Sequence, residues 1–159
     1  KHDTNLLDIG SYPGGWAQVS RKIISSGKIL CVDQEKIEKI KNVSFLQCNF
    51  LQTEAKSQIL EFFDGNLDVI ISDMAANTTG NKSLDCIRTN QLCADVIEFS
   101  SINLKPKGVL VSKLFMGEDF LEVKELAKSR FKNVHFFKPE ASRNESKETY
   151  LHCKVLNTL

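Results

Sequence analysis

The chain has 159 residues, 42% of them hydrophobic, and a formal charge of +1. That suits one compact domain with a substantial core and excludes a uniformly basic nucleic-acid binder, so any grip on nucleic acid must come from a local patch. No apolar run reaches the ~18 residues that span a bilayer, and no signal-peptide pattern opens the chain. Five cysteines without CxxC spacing read as reduced thiols of a soluble protein in a cytosol-like compartment, and no metal site is expected.

Short apolar runs alternate with stretches of helical period. Residues 5–9 predict a first strand closed by Gly10, and residues 15–25 predict a helix with Trp16, Val19 and Ile23 on one face. Strands follow at 28–33 and 44–47, then a helix at 53–63 with Thr53 as its cap and Ile59, Leu60 and Phe63 at helical spacing. The unbroken run LDVIIS at 67–72 has the pattern of a strand buried on both faces, which places it at the sheet centre. A long helix is predicted over 83–104, stopped by Lys105-Pro106-Lys107-Gly108 before a strand at 109–114. A helix at 119–131, with Phe120, Val123, Leu126 and Ala127 inward, precedes strands at 134–137 and 149–155. Alternating β and α elements imply a parallel sheet covered by helices. The last two strands have no helix between them and are expected to pair antiparallel at one edge.

In such sheets ligands bind beyond the carboxyl ends of the strands, at the topological switch point. Unusual residues stand at four predicted strand ends. The turn from Gly10 to Trp16 lets backbone approach a ligand closely, but it is neither a Walker loop nor GxGxxG. Asp33 ends the second strand about twenty residues further on, where a carboxylate can take a ribose diol. Cys48-Asn49 offers an amide after the third strand, and Asp73 follows the most apolar strand. Lys113 lies near the end of another apolar strand, where its ammonium needs a partner such as Asp73. Glu148 opens the final strand.

Four ordered motifs carry a resemblance over essentially the whole chain: Asp8-x-Gly10-x-x-Pro13-Gly14-Gly15-Trp16; Ser72-Asp73-Met74-Ala75-x-Asn77; Val111-x-Lys113-x-Phe115-x-Gly117; and Lys138-Pro139-x-Ala141-Ser142-Arg143-x-x-Ser146-x-Glu148-x-Tyr150. With these the chain resembles the FtsJ/RrmJ family of S-adenosylmethionine-dependent RNA 2′-O-methyltransferases. The resemblance implies an α/β, Rossmann-like fold whose seven-stranded mixed sheet has an antiparallel last strand and helices on both faces. It implies a single methyltransferase domain over residues 1–159, without the N-terminal helix on which the family carries a first catalytic lysine.

By that resemblance the catalytic residues are Asp73, Lys113 and Glu148, with Lys113 as the general base. The S-adenosylmethionine site falls on Gly14, Trp16, Asp33, Asn49 and Asp73, with Asn49 standing where an aspartate is usual and Tyr12 where an alanine is common. The implied substrate is a uridine in the A-loop of large-subunit ribosomal RNA, met by a monomer in the assembling large subunit. Lys138, Arg143 and Lys147 are candidate phosphate contacts. The implied compartment is the cytoplasm, or an organellar matrix in a eukaryote. A tRNA or mRNA-cap methyltransferase, or a non-catalytic RNA-binding or ribosome-assembly module of the same fold, are the alternative readings.

Overall fold

The computed structural model describes residues 3–157 apart from Ala141 and Asn144. Its strands are β1 (Leu6–Ile9), β2 (Ile29–Asp33), β3 (Ser44–Gln47), β4 (Leu67–Ser72), β5 (Leu104–Phe115), β6 (Phe131–Phe137) and β7 (Glu148–Leu156). The helices are α1 (Gly15–Ile23), α2 (Thr53–Phe63), α3 (Lys82–Asn103) and α4 (Phe120–Arg130). One sheet holds all seven strands in the order β3-β2-β1-β4-β5-β7-β6. The five on the β3 side run parallel, and β7 enters antiparallel to both β5 and β6. LDVIIS is the middle strand, as its apolar run predicts, because only a strand covered on both faces tolerates apolar residues at every position.

Strand alternation divides the core between the two faces. Leu7, Ile9, Leu30, Val32, Ile70 and Leu110 point toward α2, α3 and α4, where Ile59, Phe63, Val96, Ile97, Val123 and Ala127 meet them. Leu6, Ile29, Cys31 and Ile71 point the other way, toward Ala17 and the segment carrying Ile37. Each of these buried side chains contributes on the order of 1.5–3 kcal/mol, so the two clusters together hold the sheet in place.

Two local expectations are corrected. Of the apolar trio predicted for α1 only Trp16 packs against the core: Ala17 is buried, while Val19 and Ile23 are 55% and 69% exposed. Helix α1 is phased by the small Ala17 against the strands, because a larger side chain there would hold the helix off the sheet. The Lys105–Gly108 stretch is strand and not loop, since β5 starts directly after α3 and a register shift between Leu67 and Val69 absorbs the irregularity. Pro106 is tolerated there because such a bulge frees a backbone position from the ladder. A salt bridge of 2.7 Å from Lys105 to Asp68 ties the same stretch to β4.

Candidate functional site

The parallel strands all deliver their carboxyl ends to one edge of the sheet, and antiparallel β7 delivers its first residues to the same edge. Lys113 of β5 therefore faces Tyr150 across the ladder, and Phe115 faces Glu148. Asp73 follows β4 immediately and is held by its own N–H on the Ile9 carbonyl, 3.1 Å away. Topology alone thus brings together three charged residues separated by up to 75 positions in the chain.

Their side chains form one cluster. Lys113 Nζ lies 2.9 Å from Asp73 Oδ1 and 3.3 Å from Glu148 Oε2, with the lysine side chain only 12% exposed. The expectation that a near-buried lysine needs a carboxylate is met twice over. The Tyr150 hydroxyl donates to Asp73 Oδ1 at 2.8 Å and lies 3.5 Å from Glu148 Oε1. Burial first, and these two carboxylates second, push the Tyr150 hydroxyl well above the ordinary phenol range, so it serves as a fixed donor. Sequence reasoning quotes Tyr150 in its fourth motif without giving it this part.

A buried amide sets the tip of β5. Asn90 of α3 accepts from the Phe115 N–H at 2.7 Å and donates to the Phe115 carbonyl at 3.0 Å and to Asp119 Oδ1 at 2.8 Å. Lys113, two residues earlier, inherits that fixed position. Asn90 lies on the inward face of α3 with Thr89, Cys93, Val96 and Ile97, while Leu84 and Ile87 of the same helix are exposed.

On the β2 side of the cluster a cleft of about 370 Å³ opens over the ends of β1, β2, β3 and β4. Gly10, Tyr12, Asp33, Asn49, Asp73 and Asn77 are in its wall. Gly10 sits at φ +74°, and a Cβ there would come within 2.8 Å of Met74 Cγ and 2.9 Å of its backbone nitrogen. Only glycine lets the first turn pass so close to the end of β4. Asp33 shapes the opposite wall by accepting the Tyr12 N–H at 2.9 Å on one oxygen and the Glu35 N–H at 2.8 Å on the other. Asn49 Oδ1 takes the Leu51 N–H at 3.0 Å and retains a second lone pair. The loop above, residues 74–81, is braced by Asp85, which accepts from the hydroxyls of Thr78 and Thr79 at 2.9 and 2.7 Å. Those hydrogen bonds lower the Asp85 pKa.

Asp8 heads the first sequence motif, where it has no assigned part. It is 0% exposed in mid-β1, and neither carboxylate oxygen has a hydrogen-bond partner among the described residues. Burial, then the charges of Asp73 and Asp33, raise its pKa to about 7. A lone acid inside the apolar run LLDIG was the available signal. Two carboxylates in the cleft wall, Asp33 and Asp73, with the buried Asp8 near enough to feel both, fit a ligand that brings positive charge.

On the β7 side lies a second cavity of about 390 Å³, lined by Trp16, Val111, Phe137, Pro139, Ser142, Glu148 and Tyr150. Of the sequence-expected cofactor residues, the cleft wall includes Asp33, Asn49 and Asp73, whereas the Trp16 indole lines this second cavity. Gly14 is the N-cap of α1, in the left-handed region at φ 111°. Lys138 donates to the Ser146 carbonyl at 2.8 Å, Arg143 and Lys147 are exposed, and Ala141 of the fourth motif lies outside the described residues.

Comparison with known proteins places this geometry. The FtsJ-like methyltransferase family model matches residues 1–156. Ribosomal RNA large subunit methyltransferase E of Pelagibacter ubique is 38% identical over 156 residues, covering 98% of this chain and 77% of that protein. The Rickettsia akari protein of the same name is 42% identical over 152 residues, covering 92% of this chain and 67% of its own. Among solved structures, a ribosomal RNA methyltransferase from Plasmodium falciparum superposes with a TM-score of 0.84 at 29% identity, covering 98% of this chain and 88% of that one. Human methyltransferase-like protein 13, solved with SAH, gives 0.71 at 15% identity over 97% of this chain and 72% of its own, a likeness of fold.

Proposed function

Because the chain belongs to the FtsJ-like methyltransferase family, we propose that it transfers a methyl group from S-adenosylmethionine to a ribose 2′-hydroxyl, on a uridine in the A-loop of large-subunit ribosomal RNA. The observation that carries the chemistry is Lys113, near-buried and held between Asp73 and Glu148 beside a carboxylate-walled cleft. Ribosomal RNA as substrate rests on the names of the relatives.

The residues of the cleft fit this cofactor. On this reading Asp33 takes a ribose diol, Asn49 the adenine amino group, and Asp73, with the buried Asp8 close by, the positive charge. The family pattern also names Gly14 and Trp16, at the start of α1, where the Trp16 indole lines the second cavity and not the cleft. Bound in the cleft, S-adenosylmethionine would supply an electrophilic sulfonium methyl whose sulfur keeps the bonding pair as the methyl departs.

The chain's own residues prepare the nucleophile. A 2′-hydroxyl attacks poorly while it holds its proton, so a base must remove that proton as the O–C bond forms. Lys113, having given its own proton to solvent before the step, takes the hydroxyl proton at Nζ and becomes the ammonium that Asp73 and Glu148 neutralise. Asp73 and Glu148 fix the amine's position, and Tyr150 fixes Asp73. Alignment of hydroxyl and methyl supplies a further share of the acceleration. The reading includes action as a monomer in a reducing compartment, which the free cysteines at 31, 48, 86, 93 and 153 suit.

Lys113→Ala should bind S-adenosylhomocysteine as the wild type does and lose methyl transfer by about 10²- to 10⁴-fold, the usual share of general-base catalysis. Calorimetric titration and incorporation of labelled methyl into separate rRNA, tRNA and capped-RNA pools measure both parts. An active Lys113→Ala protein removes the base assignment, and label confined to tRNA or caps removes the substrate.

A further inference from the structure

The second cavity is built unlike a cofactor site. Three aromatic rings follow one another through it: Trp16 and Tyr150 have centroids 5.6 Å apart, and Tyr150 and Phe137 are stacked at 5.7 Å with 24° between planes. Val111 contributes its apolar side chain to the same wall. Tyr150 is almost fully buried, but Phe137 is 46% exposed at the end of β6. A large apolar ring left open to water beside two others is a stacking platform without its top layer.

The platform shares Glu148 and Tyr150 with the Lys113 cluster, and Asp73 separates it from the cleft. A sugar hydroxyl placed on Lys113 from outside the cleft carries its base into this cavity. Every nucleobase has a flat π-face for the rings and polar edges for hydrogen bonds. Glu148 and the Ser142 hydroxyl give the cavity polar groups at its wall, and Arg143 and Lys147 lie exposed on the β6–β7 connection, positive charge close to where phosphates would run.

We infer that the Trp16–Tyr150–Phe137 cavity receives the unstacked base of the nucleotide whose ribose is methylated. This deepens the ribose-methylation reading and rests on it. The base leaves its neighbours in the RNA and stacks on Phe137, which fixes the sugar over Lys113. Phe137 is then a substrate-positioning residue, distinct from the carboxylates that bind cofactor.

The test uses an A-loop rRNA hairpin, the same hairpin made abasic at the acceptor nucleotide, and protein saturated with S-adenosylhomocysteine. Trp16 is the chain's single tryptophan, so its fluorescence reports the cavity. The intact hairpin should quench it and the abasic one should not. Phe137→Ala should weaken binding of the intact hairpin about 5- to 150-fold, the range that base–aromatic stacking carries, with cofactor affinity unchanged. Phe137→Tyr should restore binding, and Phe137→Ala should make no difference to the abasic RNA.

Equal binding of intact and abasic hairpins, or full binding by Phe137→Ala, overturns the proposal. So does a Phe137→Ala protein that loses thermal stability but keeps RNA affinity, since the ring would then serve protein packing. Normal methylation of the hairpin with no effect of Phe137→Ala removes the base cavity and leaves the transfer reading standing. Quenching and Phe137 dependence without methylation remove the transfer reading and keep the cavity. A hairpin that binds by neither readout overturns both.

Discussion

The cleft and the aromatic cavity stand on either side of the same Lys113 cluster and are made of opposite materials. Toward β2 the wall is Asp33, Asn49 and Asp73, with Asp8 buried beneath; toward β7 it is Trp16, Phe137 and Tyr150. Converging carboxylates favour a ligand that carries positive charge, and rings favour a flat, neutral one. On the proposed reading, the difference teaches that the two substrates of one transfer are separated by the kind of force that would hold each. Asp73 and Tyr150, joined by a 2.8 Å hydrogen bond, mark the boundary.

The largest expected effect breaks the comparison on its acidic side. Asp8 has a folded-state pKa of about 7 against an ordinary 3.8, so the folded chain holds that proton more firmly than the unfolded chain. Stability from this group is complete below about pH 4 and is lost as pH rises through 7, by up to about 4 kcal/mol. Asp8→Asn removes the slope. Its melting temperature should exceed the wild type's at pH 8, with the gap closing toward pH 4, in thermal scans of cofactor-free protein. Parallel pH profiles for the two proteins would show that neither burial nor the neighbouring carboxylates raise the pKa of Asp8.

A smaller effect separates the two functions of one boundary residue. Tyr150→Phe keeps the ring and loses the donor to Asp73, a hydrogen bond to a charged group of about 1.5–3 kcal/mol. Steady-state kinetics should show kcat reduced about 10- to 100-fold with the affinity for RNA held. A loss of RNA affinity with kcat intact would assign Tyr150 to the cavity alone. The smallest effect sharpens the cleft. Asn49→Asp gives the adenine amino group a charged acceptor in place of a neutral one, and cofactor affinity should rise about 5- to 10-fold by calorimetry. Unchanged or weaker binding would show that the position does not meet adenine.

The parts of this molecule legible in the sequence are those that local pattern controls. Strands β3 and β4 and helix α2 lie at the predicted residues, because the apolar run in β4 and the helical spacing in α2 are one-dimensional signals, although Gln52 and not Thr53 is the N-cap of α2. The phase of α1 was not legible. Trp16, Val19 and Ile23 share an apolar stripe, yet Ala17 is the residue that sets the helix against β1 and β2. Nor was the start of β5, where Leu104 pairs with Leu67 and the strand runs on through Lys105-Pro106-Lys107-Gly108 to meet Val69 at Val109 across a bulge.

The sequence by itself determined the order of elements, the seven-stranded α/β architecture and the identity of the charged residues at the strand ends, since periodicity and strand-end chemistry are written locally. The tertiary structure alone decided their company. Lys113 meets Glu148 and Tyr150 because β7 inserts antiparallel beside β5, and Asn90 reaches Phe115 because α3 packs over that strand. Asp8 became unusual only when burial removed its water and brought Asp73 and Asp33 near. Trp16, more than a hundred residues before either other ring of the cavity, found Phe137 and Tyr150 because the sheet folds distant strand ends onto one edge. Contacts between residues far apart in the chain leave no periodic trace in it, which is why the cavity had to be seen in three dimensions.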